Sequence, residues 1–575
     1  MWKKCMADFP GSGTPIRGLY SARMRDPRES QKKFISDDWW SEKSIADYIA
    51  SHARDIPNDI AFISGSEKMS WFEYERYSSD ISGMIMKSGL HAGDKVAIML
   101  PDGPSVHAAL VGTEKSGVVA VGIGPRAGEA EVEHILRRTG ARSVITHPII
   151  DERPAHELVE GLRRRGVEVE RHFELPTSHK SDDSILLNGV EVTKDDPQLV
   201  ENLISQRRLG PNDLWMLNST SGTTGLPKCV TQFQNRWFAY HRLVCESAVV
   251  DTEDIFMSVV PAQFGFGLWT SHFTPTILGI PCVVLPKFNA ERALASIQEF
   301  KVSLLAAVST QFIMMLNTPD IEKFDLSSLE VMWTGGEAVP YERAAEFEDR
   351  TGARVLQFFG SNETGALSAT TIYDSREKRL TTCGKPLEIM QVRLFDSDDG
   401  SDITHSSGPG VPGCKGPVTC FGYFGDDAAN DDLYTSDGWM LMGDVVTIES
   451  DGYLRLVGRK SDFIIRGGKN ISAKVVEEQV GTCAGVAIVA AVAVPDNVFG
   501  QRVAVYVELL DGHALTLDFL NKHLATQGYS KETFPEYLVI IDEMPMASGG
   551  KVAKSAIRSD VENRVTEGLF AQDFR

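Results

Sequence analysis

From Ser44 onward, short apolar runs alternate with stretches of helical period. Lys95–Leu100, Val118–Ile123 and Ala141–Thr146 read as buried strands, and Asp80–Leu90, Val106–Gly117 and Glu129–Arg138 as the helices between them. Strands that alternate with helices predict parallel pairing with helices on both faces. From His147 to about Asn212 the chain turns polar, and its charge runs, Arg163–Arg165 and Asp182–Asp183, read as solvated helix face or loop. The alternation resumes with strands at Leu214–Leu217, Ile255–Val260, Cys282–Leu285, Leu304–Val308, Val331–Trp333 and Val355–Phe359, and a helix at Arg292–Phe300. Beyond Gly384 the strands Val392–Phe395 and Gly416–Phe424 lie among Gly/Pro-dense turns, which predicts a small β-rich unit. One of those turns, Gly408–Gly413, spells G-x-G-x-x-G, but its two prolines make it a loop and not a dinucleotide fingerprint. Past Gly458–Asp462 come helices near Ala473–Val480 and Leu517–Leu524 and strands at Val486–Val494, Arg502–Leu509 and Tyr537–Ile541, a compact α+β pattern.

At 575 residues the chain exceeds what one core supports. The boundaries expected are an arm over 1–40, a large domain over 41–460 and a small domain over 461–575. A formal net charge of −21 argues against nucleic acid as a partner, since phosphate backbones select a basic face. The eight cysteines form no C-x-x-C pair, and no H-E-x-x-H occurs, so reduced thiols fit better than disulfides or a zinc site. The first residues lack an apolar core of signal-peptide type, and no run reaches membrane-spanning length. The expected location is the cytoplasm, with a monomer or homodimer both open.

The most telling stretch is Asn218–Lys228, which follows an apolar strand. Gly222 and Gly225 let backbone N–H groups turn toward an anion; Ser219, Thr220, Ser221, Thr223 and Thr224 add hydroxyls, and Lys228 a positive charge. That composition suits a polyphosphate cradle. It is not the common P-loop, because Pro227 precedes the lysine and Cys229 follows it. Five further clusters stand out in order: Trp333–Glu337 and Gln357–Gly365 at strand ends, Ser436–Asp444, Gly458–Arg459 with Gly467–Asn470, and Pro545–Lys551.

Together and in this order, these clusters resemble the adenylate-forming superfamily of acyl-CoA synthetases, peptide-synthetase adenylation domains and luciferases. The resemblance runs from about Ser44 to Lys554. It implies an α/β fold: a large domain of two doubly wound subdomains with a small β-barrel-like unit, then a small mobile α+β domain. It implies that Thr220, Ser221, Gly222, Thr223, Thr224, Gly225 and Lys228 hold the ATP phosphates. Gly335, Gly336, Glu337, Phe359 and Gly360 would lie on the adenine side, with Phe359 in place of the usual tyrosine. Asn362 stands where a threonine is common. Glu363, with Thr223, would approach Mg2+; Asp444 would bind the ribose and Arg459 the ribose and phosphate. Lys551 would bridge carboxylate and α-phosphate, making it the catalytic residue together with Glu363 and Thr224. Gly467 and Gly468 would line a tunnel for CoA. The hinge falls on Ser461, with Lys460 or Asp462 as neighbours in the count.

The acid pocket implied by the resemblance lies between Pro261–Trp269, Val308–Phe312 and Trp333–Glu337. Phe264, Phe266 and Trp269 are aromatic, and Gly265 stands about where amino-acid-activating members carry an aspartate. A pocket without a counter-charge disfavours α-amino acids, so a hydrophobic acid is expected: alicyclic, aryl or medium-chain. The wording of the region resembles ligases for cyclohexanecarboxylate-type acids. Three functions follow: an acid–CoA ligase, an acid-adenylating enzyme that hands its acyl group to a carrier protein or oxidises it, and a non-catalytic nucleotide-binding protein.

Overall fold

Two large sheets carry the alternating part of the chain. The computed structural model describes residues 34–37, 39–178, 184–219, 227–336, 339–406, 408–466, 469–547 and 551–570. The predicted arm over 1–40 therefore lies almost entirely outside the described residues; at its end, buried Trp40 packs on Phe233 at 5.4 Å and donates to the Pro417 carbonyl.

The eight-stranded sheet has the order Val190–Glu191, Leu186–Leu187, Arg171–Glu174, Ser143–Thr146, Lys95–Met99, Val119–Gly122, Met216–Ser219, Cys229–Gln232. Its middle is parallel, as the alternation predicts. The polar stretch after His147 is more ordered than its composition suggested: it forms helices Ala155–Arg164 and Pro197–Arg207 and the three strands at one edge of this sheet. Edge strands face water, so they need no apolar run, and a search for such runs passes them by.

The nine-stranded sheet is built around parallel strands Ile60–Ser64, Cys282–Val284, Phe256–Ser258, Leu304–Ala306, Val331–Gly335 and Arg354–Ser361. Gly365–Ala369 then pairs back antiparallel on the last of these. Helices Trp71–Lys87 and Pro104–Ser116 pack so closely that a Cβ on Gly112 would come within 2.6 Å of the Ile81 side chain. Every residue of Pro104–Ser116 is buried, polar ones such as His107, Glu114 and Lys115 included, so the helix shows no solvated stripe.

In the β-rich unit, Val411–Lys415 is the central strand between Gln391–Phe395 and Met440–Leu441. Both readings of that region need correction. The Gly/Pro turn is in part a strand, and Gly416–Phe424 is an irregular segment with a single bridge from Tyr423 to Val230. Pro412 is tolerated because the third strand pairs only with Gly413 and Cys414, so its missing N–H falls beyond that ladder. The last sheet pairs Val486–Asp496 with Gly500–Leu509 and adds Tyr537–Ile541 in parallel, with helices Ala473–Gly481, Leu517–Thr526 and Lys554–Thr566 around it.

Candidate active site

Strand ends of the two large sheets meet through Asn218, Gln232 and Asn362, and the final domain reaches the nine-stranded sheet at Gly336. Met216–Ser219 and Cys229–Gln232 pair antiparallel with Ser219 opposite Cys229, so the two ends of the hydroxyl-rich loop are clamped side by side. Thr220, Ser221, Gly222, Thr223, Thr224 and Gly225 lie outside the described residues. The Lys228 ammonium sits 4.7 Å above the Tyr423 ring, and the Pro227 carbonyl is within 3.0 Å of His134 Nε2. Cys229 is buried and its thiol is pushed up to about 12, which makes it inert as a nucleophile.

Glu363 lies in the turn between Arg354–Ser361 and Gly365–Ala369. The Ser361 hydroxyl accepts the N–H groups of Glu363 and Thr364 and shapes that turn. Tyr423 donates its phenol proton to Glu363 Oε1 at 2.7 Å. Burial and the Glu363 charge both raise the Tyr423 pKa, so the phenol remains a donor. Sequence reasoning missed Tyr423, because its segment was taken for a strand. Gly360 cannot be larger: a Cβ there would meet the Gly365 carbonyl at 1.8 Å, where the strand register shifts.

Asn362 joins a knot of amides. It donates to Asn218 Oδ1 at 2.8 Å and accepts from Asn218 at 3.2 Å and from Gln232 at 3.1 Å. Its side-chain oxygen thus ties the turn to the strands that flank the loop.

On the other sheet strand, Gly335 is required because a Cβ would meet the Phe358 carbonyl at 2.4 Å. Gly336 has φ of +79°, and its carbonyl accepts from Lys551 Nζ at 2.6 Å. The final domain therefore delivers Lys551 to the end of Val331–Gly335. Glu337 lies outside the described residues.

Asp444 and Arg459 stand opposite each other on paired strands, and Arg459 Nε donates to Asp444 Oδ1 at 3.0 Å. The Asp444 charge raises the Arg459 pKa despite its burial. Lys460, Ser461 and Asp462 share one 3-10 turn. Asp462 pairs there with Arg558 at 2.7 Å and Lys554 at 3.4 Å, both on the helix that follows Lys551. Burial pushes the Asp462 carboxyl up, but these cations outweigh it and hold it below its ordinary value. Gly467 and Gly468 lie outside the described residues.

The aromatic segment forms a helical wall. Phe264 precedes a short turn Gly265–Gly267, and Leu268–Phe273 is a π-helix. Phe266 meets Phe358 edge-on at 4.6 Å, and Trp269 meets Phe358 at 5.1 Å and Tyr240 at 5.5 Å. Phe358, not Phe359, contacts this wall: neighbouring residues on a strand face opposite ways, and Phe359 is itself buried. A Cβ at Gly265 would find Asn362 Oδ1 at 3.0 Å and Trp237 at 3.1 Å, so the backbone is packed closely there and a side chain could enter only by displacing one of them. Val308 and Phe312, read as a loop, belong to the start of helix Ser309–Leu316.

Residues 49–424 match the family of AMP-binding enzymes, and the chain belongs to it. The class is that of adenylate-forming, AMP-forming ligases, which activate an acid as its adenylate. The chain is 25% identical to the medium-chain fatty-acid–CoA ligase of Escherichia coli K12 over 92% of each chain. It is equally 25% identical to the vibriobactin-specific 2,3-dihydroxybenzoate-AMP ligase of Vibrio cholerae, over 90% of this chain and 94% of that protein. The structure of the anthranilate CoA ligase AuaEII with anthranoyl-AMP superposes with a TM-score of 0.79 at 20% identity, covering 91% of this chain and 98% of that one. Among the described residues no helix is long and apolar enough to cross a membrane.

Proposed function

We propose that this chain is an acid–CoA ligase. It activates a hydrophobic carboxylic acid, alicyclic, aryl or medium-chain, with ATP and then passes the acyl group to CoA. The observation that carries the reading is the Lys551 ammonium brought onto the Gly336 carbonyl, 2.6 Å away, from a domain that begins after Arg459. A lysine held there faces the strand ends where open α/β sheets bind ligands. In the first step the acid's carboxylate attacks the α-phosphorus and pyrophosphate leaves. Two anions must approach, and Lys551 offsets their repulsion at the reacting carboxylate. Lys228 and the loop hydroxyls of Thr220, Ser221, Thr223 and Thr224, with the N–H groups of Gly222 and Gly225, would hold the departing phosphates. Asp444 would accept from the ribose hydroxyls, with Arg459 beside it, and Gly335, Gly336, Glu337, Phe359 and Gly360 would border the adenine.

No cluster of three metal-ligating side chains occurs among the described residues. One carboxylate suffices for Mg2+ bound mainly by phosphates, and Glu363, held at one oxygen by Tyr423, fits that demand, with Thr223 as its partner. The ion would neutralise charge on the leaving pyrophosphate. In the second step the CoA thiol attacks the acyl carbonyl and AMP leaves. Gly467 and Gly468 would let pantetheine pass close to the backbone, and the small domain would turn about Lys460–Asp462 between the steps. The apolar wall of Phe264, Phe266 and Trp269 around Gly265 supports an uncharged acid.

The likeness to an aryl-AMP ligase keeps a second reading, transfer to a phosphopantetheinyl carrier protein. A panel of acids assayed for ATP–pyrophosphate exchange, then for AMP release with and without CoA, separates these. Exchange with AMP release that requires CoA supports the ligase; exchange with no response to CoA favours the carrier; ADP as product refutes both. Lys551→Ala should abolish exchange and spare thioester formation from synthetic acyl-adenylate, and equal loss of both would sink the lysine's assigned role.

A further inference from the structure

Arg236, on helix Gln234–Ser247, is fully buried, yet all its hydrogen-bond acceptors are neutral. Its Nε donates to the Val418 carbonyl at 2.9 Å, Nη1 to Gln232 Oε1 at 2.6 Å and Nη2 to the Glu363 carbonyl at 3.2 Å. Among the described residues no carboxylate oxygen lies in ion-pair range of it. Burying a guanidinium without a carboxylate is costly, the Trp237 ring 5.0 Å from its Cζ offsets only part of that, and burial accordingly pulls its pKa down. A hydrophobic residue would serve the core better, so the charge points to a task at the site above it.

The three acceptors say what that task is. The Glu363 carbonyl also takes the Cys420 N–H at 2.8 Å, so Arg236 and the segment before Tyr423 grip the same peptide. Gln232, held by Arg236, passes its own amide N–H groups to Asn218 Oδ1 at 2.8 Å and Asn362 Oδ1 at 3.1 Å. Asn218 and Gln232 belong to the two strands that flank the phosphate loop, while Asn362 and Glu363 belong to the metal-side turn. One guanidinium thus joins the loop's foundations to the backbone of the glutamate.

We propose that Arg236 is a positioning residue: it fixes the Glu363 turn against the strand pair below the phosphate loop, so that both engage the same Mg–triphosphate. The inference rests on the reading of Glu363 and the loop as metal- and phosphate-binding. It requires a selective effect. Nucleotides that use both elements should feel the loss of Arg236, and AMP, which lacks the outer phosphates, should not.

Binding of Mg–ATP and of AMP to the full-length protein tests this for Arg236→Met, Arg236→Lys and Glu363→Gln. Arg236→Met should weaken Mg–ATP roughly thirty-fold, the loss of a hydrogen bond from a charged donor, while AMP changes less than about two-fold. Arg236→Lys keeps the charge, guards against misfolding of the methionine variant and should fall between. Equal weakening of both nucleotides, or of neither, overturns the proposal. If Glu363→Gln leaves Mg–ATP binding unchanged, the metal reading itself fails; if it weakens binding and the Arg236 variants do not, the inference about Arg236 alone is wrong.

Discussion

Replacing Gly336 by alanine separates the lysine's placement from its chemistry. The backbone there has φ of +79°, where a side chain costs about 1–2 kcal/mol in the folded state. The new Cβ would stand 2.6 Å from Lys551 Nζ, too close to coexist. The lysine tip is flexible, so it yields, and in yielding it gives up the 2.6 Å bond to the Gly336 carbonyl. A hydrogen bond from a charged donor is worth about 1.5–3 kcal/mol. At ~1.4 kcal/mol per decade this predicts acid-dependent ATP–pyrophosphate exchange reduced roughly ten- to hundred-fold. AMP binding and thioester formation from a synthetic adenylate should fall together and by less than exchange, since both feel the new methyl on the adenine side but neither needs the lysine at that carbonyl. The strain term falls on stability, not on the rate. Exchange at the wild-type rate, in a background where Lys551→Ala is inactive, would show that the carbonyl contact does not place the lysine.

Other perturbations test the rest of the site. Tyr423→Phe removes the phenol held on Glu363 at 2.7 Å and should raise the Mg2+ needed for half-maximal exchange about ten-fold, with the acid's KM unchanged; an unaltered Mg2+ titration would contradict that support. Gly265→Leu would press on Asn362 and Trp237, 3.0 and 3.1 Å from a Cβ there, and should cut exchange about ten-fold or more with every acid of a substrate panel; unchanged exchange would show that this close approach is not needed. Glu114 is fully buried, and burial pushes its carboxyl up to about 7 from an ordinary 4.5. A carboxyl raised in the fold stabilises below pH ~4.5 and loses that contribution as pH rises through about 7. Glu114→Gln should therefore gain up to about 3 kcal/mol over wild type in urea unfolding at pH 8 and almost nothing at pH 4; a pH-independent difference would refute the assignment.

The alternation of apolar runs and helical periods gave most of the parallel strands, because strands buried on two faces must be apolar throughout; the division into two sheets came from the family resemblance, and Ile60–Ser64, Cys229–Gln232 and Gly365–Ala369 were not read as strands. The site's glycines came from the family resemblance; the structure adds a physical reason at Gly335 and Gly360, where a Cβ would meet backbone carbonyls. Arg236, Gln232 and Tyr423 were not legible. An arginine in a helix normally signals a wet face, and nothing local says that this one is enclosed by segments from residues 362–364 and 418–423. Phe358 was not singled out either, although it is the residue of its strand that meets Phe266 and Trp269. The three strands after His147 escaped because two are only two residues long and the third, Arg171–Glu174, has a charged residue at each end. The assignments on Thr220–Gly225, Glu337, Gly467 and Gly468 lie outside the described residues.

The π-helix at Leu268–Phe273 has a consequence for how such proteins diverge. A wide turn of this kind amounts to one residue inserted into an α-helix, and each residue of a helix turns the chain by about 100°. Loss of a single codon from that turn would turn Phe266, which packs on Phe358 and Trp269, by about 100° relative to the helix that follows, and bring a different side chain round. If that wall holds the acid as proposed, a lineage could change its substrate by one small deletion, with the fold kept.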